Sequence, residues 1–143
     1  MKIINLVGVF LAVIMSFAAF NIWASEASSG KEKVVIQVSD ADAGKWNLAL
    51  NNAKNIQQMV GADNAEIEIV VYGPGIAMLK ADSVVGNRVE EAKAANISIV
   101  ACQNTMKGMK LTEADMLPNT SYVPAGVVEL MHKQKAGFAY IRP

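Results

Sequence analysis

The 143-residue sequence predicts an α/β fold: a three-layer α/β/α sandwich with a five-stranded, mostly parallel sheet. Short runs rich in β-branched residues alternate with longer segments in which apolar residues recur every three or four positions. This strand–helix alternation is the order that right-handed βαβ crossovers produce. The length suits one domain, and the single cysteine excludes an intrachain disulfide framework.

The first 27 residues are typical of a secretory signal peptide. Lys2 provides a basic start, residues 3–20 are almost entirely apolar, and residues 25–27 fit the small-residue cleavage pattern. An uncleaved anchor is the alternative, because the apolar run approaches the ~20 residues that span a bilayer. Residues 28–32 form a flexible lead-in and residues 33–143 the domain. We therefore expect a periplasmic protein without a membrane segment after cleavage.

The first half of the domain contains two predicted strands joined by the best-defined helix. Residues 34–38 are rich in β-branched side chains, which favours a strand buried on both faces. Residues 44–60 carry apolar side chains at helical spacing, with Asp42 placed to cap the start and Gly61 to end the helix. Residues 66–72 form the second strand, which a Gly-Pro-Gly turn terminates.

The middle of the domain has weaker patterns. A short turn precedes a helix over residues 87–95, and residues 97–101 form the third strand. This strand leads directly to Cys102. The segment that follows is irregular and helical, with Thr112 placed to cap a further turn.

The last part of the chain predicts one more strand–helix–strand unit. Residues 122–123 form a very short strand, and Pro124 is expected as the first residue of a helix that continues over residues 125–135. The apolar stripe of that helix consists of Val127, Leu130 and Met131. Residues 138–141 form the fifth strand, so the order of elements completes the predicted parallel sheet.

Charge and composition exclude several classes of function. The chain has 13 basic and 13 acidic side chains and no basic cluster, so we expect no nucleic-acid partner. One cysteine and one distant histidine, His132, cannot supply a zinc cage. The Gly-Pro-Gly turn lacks the order of a dinucleotide-binding motif and the lysine of a P-loop. We therefore expect no metal and no cofactor.

Cys102 is the leading candidate for chemistry. It lies where a predicted strand ends and a helix-compatible segment begins, and the unpaired N–H groups of a helix start lower the pKa of a thiol. The alternative is a buried structural cysteine, since unpaired cysteines often act as small apolar residues. The carboxyl ends of parallel strands share the edge where ligands bind. Other residues expected at this edge are Asp40, Tyr72, Gly73, Gln103, Asn104, Thr105 and Pro124.

Simpler roles are open for several of these residues. Tyr72 fits a core residue with its hydroxyl at the rim of the sheet. Asn104 and Thr105 fit caps of the helix that follows Cys102 as well as they fit ligand-binding groups. Asp40 lies in one loop with Asp42, and at least one of the two is expected to cap a helix.

Four segments together resemble the DsrE/DsrF-like family, specifically its small single-domain exported members. They are residues 101–106 (ACQNTM), 115–118 (DMLP), 123–130 (VPAGVVEL) and 137–143 (GFAYIRP). The resemblance covers about residues 33–143 and implies an α/β/α sandwich that assembles as trimers or hexamers. It also implies sulfur relay, in which the matching residue Cys102 carries sulfur as a persulfide. The export signal departs from the cytoplasmic relay proteins, so their relay partners do not carry over.

The leading hypothesis is a periplasmic sulfur-handling protein. Cys102 accepts sulfane sulfur from a donor, and a partner thiol of an acceptor protein takes it away. The alternatives are a non-catalytic oligomeric binding module and a thiol redox sensor that uses the same cysteine. The sequence does not separate sulfur transfer from redox sensing.

Overall fold

The structure is a computed structural model that describes residues 30–143. The predicted signal peptide lies outside these residues. The strands of the domain are β1 (Glu32–Val38), β2 (Ala65–Val71), β3 (Ser98–Cys102), β4 (Ser121–Val123) and β5 (Ala139–Ile141). Its α-helices are α1 (Ala43–Val60), α2 (Gly86–Ala94), α3 (Gln103–Gly108) and α4 (Gly126–Lys135). Across residues 30–143, no helix combines the length and apolar character needed to cross a membrane.

The five strands form one sheet in the order β4-β3-β2-β1-β5, and all four strand pairs are parallel. Val38 pairs with Val71, and Cys102 pairs with Val123. The predicted α/β fold with a five-stranded sheet is confirmed. The strand order, which the sequence does not reveal, places β3 between β2 and β4, so Cys102 lies at the carboxyl edge between two neighbouring strand ends.

The larger core lies between the sheet and the helices α1 and α2. The alternate residues Val34, Ile36 and Val38 of β1 face this side and belong to one buried cluster with Trp46 and Leu50 of α1. This helix starts as predicted, because the Asp42 carboxylate accepts hydrogen bonds from two backbone N–H groups of the first turn, at 2.7 and 3.3 Å. It ends at Gly61, whose φ is +90°.

The opposite face of the sheet has a smaller core and is covered by α4. Two predictions for this helix are wrong. It begins at Gly126 after the N-cap Ala125, so Pro124 precedes the helix instead of starting it. Of the predicted apolar stripe only Leu130 is buried, whereas Val127 and Met131 are 58% and 44% exposed. A single helix lies over β1 and β2 here, so only one side of it reaches the sheet.

A buried ion pair attaches the C-terminal half of α4 to the sheet. Glu68 of β2 is buried, and its carboxylate accepts from Lys133 Nζ at 3.0 Å and from Ser98 Oγ at 3.1 Å. The Lys133 ammonium also lies 4.9 Å from the centre of the Phe138 ring. Because a buried carboxylate is costly without a partner, this contact holds the helix in a defined position over the sheet.

Candidate functional site

Cys102 lies where two helices begin. It is the last residue of β3 and the N-cap of α3, and it is only 5% exposed. Its Sγ accepts a hydrogen bond from Thr105 N at 3.4 Å and one from Gly126 N, the first residue of α4, at 3.2 Å. The first N–H groups of a helix have no partner within the helix. The sulfur atom therefore satisfies one such group from each of two helices.

The start of α4 reaches the sulfur because of a glycine. A Cβ atom at Gly126 would lie 3.0 Å from Tyr72 Cβ and 3.2 Å from Tyr72 Cγ. The segment before this helix is also attached to α3, because the Pro124 carbonyl accepts from Asn104 N at 3.2 Å. A side chain at position 126 would compete with Tyr72 for space, so glycine allows the close approach of this N–H group to Cys102.

Thr105 connects the sulfur to the turn that follows β2. Its backbone N–H contacts Cys102 Sγ, while its Oγ1 accepts from Gly73 N at 2.9 Å. Gly73 adopts φ +54°, which favours glycine, and the next glycine, Gly75, packs against the end of β1 so closely that a Cβ would lie 2.7 Å from Val38 O. The turn is thus fixed by its glycines, and it holds the Thr105 hydroxyl.

The surroundings of Cys102 favour its thiolate. Burial raises the pKa of the thiol, but hydrogen bonding to Thr105 and Gly126 lowers it by more, so the pKa is below the ordinary value of 9.0. Within the described part of the chain, the shift comes from burial and hydrogen bonds and not from a neighbouring charge. A thiolate of this kind is both a nucleophile and a leaving group.

Asp40 belongs to a separate ionic cluster at the end of β1. Its carboxylate pairs with Lys45 Nζ at 3.1 Å and with Arg142 at 3.9 Å, and its carbonyl accepts from Trp46 Nε1 at 2.7 Å. These contacts join β1 to the first turn of α1 and to the segment that follows β5. Asp40 therefore connects structural elements, and among the described residues no hydrogen bond or ion pair joins it to Cys102.

Tyr72 lies between the ionic cluster and the cysteine. Burial raises the pKa of its hydroxyl, and the Tyr140 hydroxyl and the Asp40 carboxylate raise it too, whereas a hydrogen bond with Ser39 and the charge of Arg142 oppose the rise. Tyr72 is half-buried and packs on Gly126. It keeps a neutral hydroxyl while it supports the start of α4.

The predicted site residues divide into two groups. The structure brings Gly73, Asn104, Thr105 and Pro124 together around Cys102 or its hydrogen-bond donors. Gln103 is exposed and lines a separate surface cavity of 290 Å³. A larger cavity of 440 Å³, between α1 and α2, contains none of the predicted site residues.

Gly126 was not among the predicted site residues. The available signal was a glycine directly after Pro124-Ala125 at the start of a predicted helix, where glycine is less common than a capping side chain. Over residues 30–143, no group of three or more His, Cys, Asp or Glu side chains is placed to hold a metal ion.

Comparison with known proteins identifies related sequences and folds. The model of the DsrE/DsrF-like family matches residues 32–143. The structure of protein MTH1491 from Methanobacterium thermoautotrophicum, of unknown function, is 29% identical, with a TM-score of 0.73 over 77% of this chain and 97% of that one. No curated protein matches the sequence.

Two further solved structures share the fold at lower identity. The conserved protein BT1422 from Bacteroides thetaiotaomicron, also of unknown function, is 17% identical, with a TM-score of 0.65 over 78% of this chain and 95% of that one. The ychN protein from E. coli is 14% identical, with a TM-score of 0.62 over 78% of this chain and 99% of that one. At these identities the likeness concerns the fold alone.

Proposed function

We propose that this chain, which belongs to the DsrE/DsrF-like family, carries sulfane sulfur as a persulfide on Cys102. Family membership supports a role in sulfur metabolism, and the persulfide chemistry is our extension of it. The observation that carries the proposal is the pair of hydrogen bonds from two helix starts, Thr105 N and Gly126 N, to Cys102 Sγ. These donors stabilise the sulfur in its anionic form.

Loading and unloading both use this anion. In loading, the Cys102 thiolate attacks the outer sulfur of a donor persulfide; a new S–S bond forms, the donor's S–S bond breaks, and the donor thiolate leaves with the electron pair. In unloading, an acceptor thiolate attacks the outer sulfur and Cys102 leaves as a thiolate. Each step exchanges one S–S bond for another, so neither step needs an added oxidant or reductant. A lowered thiol pKa at Cys102 favours its departure in the second step.

A second candidate function rests on the burial of the cysteine. Cys102 is 5% exposed, which also suits a structural residue in a non-catalytic oligomeric binding module. In that case its sulfur only satisfies the N–H groups of α3 and α4. The two functions differ in whether the native thiol reacts.

Intact-mass analysis of the native protein after treatment with inorganic polysulfide tests the proposal. We expect a gain of one sulfur in wild type that a thiol reductant removes, and no gain in Cys102→Ser, which is a matched control because Cys102 is the only cysteine. Circular dichroism checks that the control is folded. A thiol that gains sulfur only after unfolding would refute the carrier function and support the binding module.

We also propose that the protein is a homo-oligomer, a trimer or a hexamer. The support within the described residues is the outer side of α4, where Val127, Val128 and Met131 are 58%, 40% and 44% exposed. Apolar side chains grouped on one helix are typical of surfaces that another chain covers. Light scattering at micromolar concentration measures the mass, and Met131→Lys should lower it. A mass of one chain for wild type would contradict the proposal.

Export to the periplasm is the remaining part of the proposed function. It is supported by the apolar run over residues 3–20 and the small residues that follow it. N-terminal sequencing of the exported protein should find a start near Ser25 or Ser28. An intact Met1 in the membrane fraction would indicate that the segment is an uncleaved anchor and not a signal peptide.

A further inference from the structure

The cavity of 440 Å³ between α1 and α2 lies on the side of the sheet opposite α4. Its lining includes residues of both helices at spacings of four and then three positions, which place side chains on one helix face. These residues are Leu50, Lys54 and Gln57 of α1, and Arg88, Ala92 and Ala95 of α2 and its C-cap. The two helices therefore turn matching faces towards the cavity.

Hydrogen bonds between the helices bracket the cavity at both ends. At one end the Arg88 guanidinium donates to Asn47 Oδ1 and, at 2.7 Å, to Asn51 Oδ1. At the other end Gln57 Nε2 donates to the Ala95 carbonyl at 2.7 Å. These contacts fix the distance between the two helices, so the cavity is already formed without a ligand. Preformed sites lose less free energy to ordering when they bind.

The floor of the cavity is apolar. Leu50, Ala92 and Ile97 line it and are buried. Ala92 contributes only a methyl group at the position between the two sets of bridging side chains, which leaves the space between the helices unfilled. Small-molecule sites in proteins have volumes of about 300–1,000 Å³ and mainly apolar walls. The size and the floor of this cavity thus suit a small molecule with an apolar body.

The rim of the cavity has three charged side chains, Lys54, Arg88 and Glu91. Across residues 30–143, no ion pair joins any of them to an opposite charge. Asn47 and Asn51 orient the guanidinium but are neutral, and they accept from two of its five N–H donors. Two positive charges and one negative charge make the rim complementary to a ligand with a single negative charge.

We propose that this cavity binds a small monocarboxylate with an apolar body. Its carboxylate contacts the Arg88 guanidinium, whose planar fork matches a carboxylate, and its apolar body covers the buried floor. Ile97 precedes β3, whereas Cys102 is the last residue of this strand, so the cavity lies towards the opposite end of β3 from the sulfur. The inference goes beyond the proposed sulfur chemistry and does not depend on it.

Titration with hexanoate, followed by methyl NMR of leucine- and isoleucine-labelled protein, tests the proposal. The methyl signals of Leu50 and Ile97 should shift with one common dissociation constant, while those of Ile36, which is fully buried and does not line the cavity, should stay in place. Hexanol has a similar apolar body without the charge. We expect it to bind roughly tenfold more weakly, because hydrogen bonds to charged groups are among the stronger ones.

Two variants separate the charge from the shape of the cavity. Arg88→Gln should weaken hexanoate binding roughly tenfold and leave hexanol binding nearly unchanged. If Arg88→Gln does not fold, Lys54→Gln carries the test, since Lys54 is exposed and should contribute roughly two- to fivefold. Lys135→Gln is the matched control, because Lys135 is exposed on α4 and does not line the cavity. It should bind hexanoate like wild type.

Each of three results would overturn the inference. Hexanoate shifts neither Leu50 nor Ile97, hexanol binds as tightly as hexanoate, or both charge variants bind hexanoate as wild type does. Light scattering identifies the remaining occupant, a second copy of the chain. A lower mass of Arg88→Gln, together with no hexanoate binding to wild type, would mean that the cavity is a contact between subunits and not a ligand site.

Discussion

Replacing Gly126 with alanine tests the packing that brings α4 to the cysteine. The new Cβ would lie 3.0, 3.2 and 3.3 Å from Tyr72 Cβ, Cγ and Cδ1, so either the helix start or the tyrosine must move by a few tenths of an ångström. Overpacking of this kind costs about 1–3 kcal/mol. Alanine also stabilises the folded protein by about 0.4–1 kcal/mol, because it restricts the conformations of the unfolded chain more than glycine does. We expect a net loss of about 1–2 kcal/mol in the free energy of unfolding.

The same change should weaken the hydrogen bond from residue 126 to the sulfur. Gly126 N lies 3.2 Å from Cys102 Sγ, and a shift of the helix start away from Tyr72 alters this distance. Urea unfolding measures the loss of stability, and the rate of alkylation by iodoacetamide at neutral pH measures the change at the thiol. We expect both the midpoint urea concentration and the alkylation rate to fall.

Gly108→Ala is the matched control. No heavy atom lies within 4 Å of a Cβ at Gly108, and its φ lies outside the left-handed region. Alanine there should be neutral or stabilise the protein by up to about 1 kcal/mol. If Gly126→Ala were as stable and as reactive as Gly108→Ala, the close contact with Tyr72 would not control the site and the reasoning would be wrong.

Three further predictions concern pH and stability. The pKa of the Cys102 thiol is lower in the folded protein than in the unfolded chain. The thiolate therefore stabilises the fold above the unfolded-chain pKa, and this contribution is lost as the pH falls through the folded pKa. The difference in unfolding free energy between wild type and Cys102→Ala should thus grow from pH 6 to pH 9. Urea titrations at several pH values check this, and a constant difference would contradict it. Lys133→Met leaves the buried Glu68 carboxylate without its cation and should lower the free energy of unfolding, measured with urea, by about 3 kcal/mol. Lys135 is exposed, so Lys135→Met should change this free energy by no more than about 0.5 kcal/mol. Asp42→Ala removes the cap of α1 and should lower the thermal midpoint through a loss of about 1 kcal/mol; an unchanged midpoint would mean that the cap contributes little.

Much of the fold follows from local sequence patterns. The β-branched run that ends at Val38 and the helical spacing after Asp42 specify their elements within about a turn, because burial on one or both faces determines these patterns. The start of α4 was predicted incorrectly. Pro124 has the φ angle of a first helical residue, but its carbonyl instead accepts from Asn104, a contact between elements that local preference does not reveal.

The site was predictable only in part. Cys102 was predicted at the site, with Asn104 and Thr105 beside it, because a cysteine and residues that can cap a helix carry a local signal at a strand–helix junction. Gly126 lies 24 residues from Cys102 along the chain, and its role depends on the side chain of Tyr72, which directly follows β2. Such contacts follow from the strand order β4-β3-β2, which short-range periodicity does not encode.

Delivery of sulfur tests the central claim most directly, because a carrier must give up what it accepts. Native protein is loaded with polysulfide, freed of excess reagent and mixed with glutathione at neutral pH, and both products are followed by mass spectrometry. We predict that Cys102 loses its extra sulfur while glutathione persulfide appears in equal amount, and that Cys102→Ser yields none. Native protein that takes up no sulfur, or holds it without passing it to glutathione, would contradict the account.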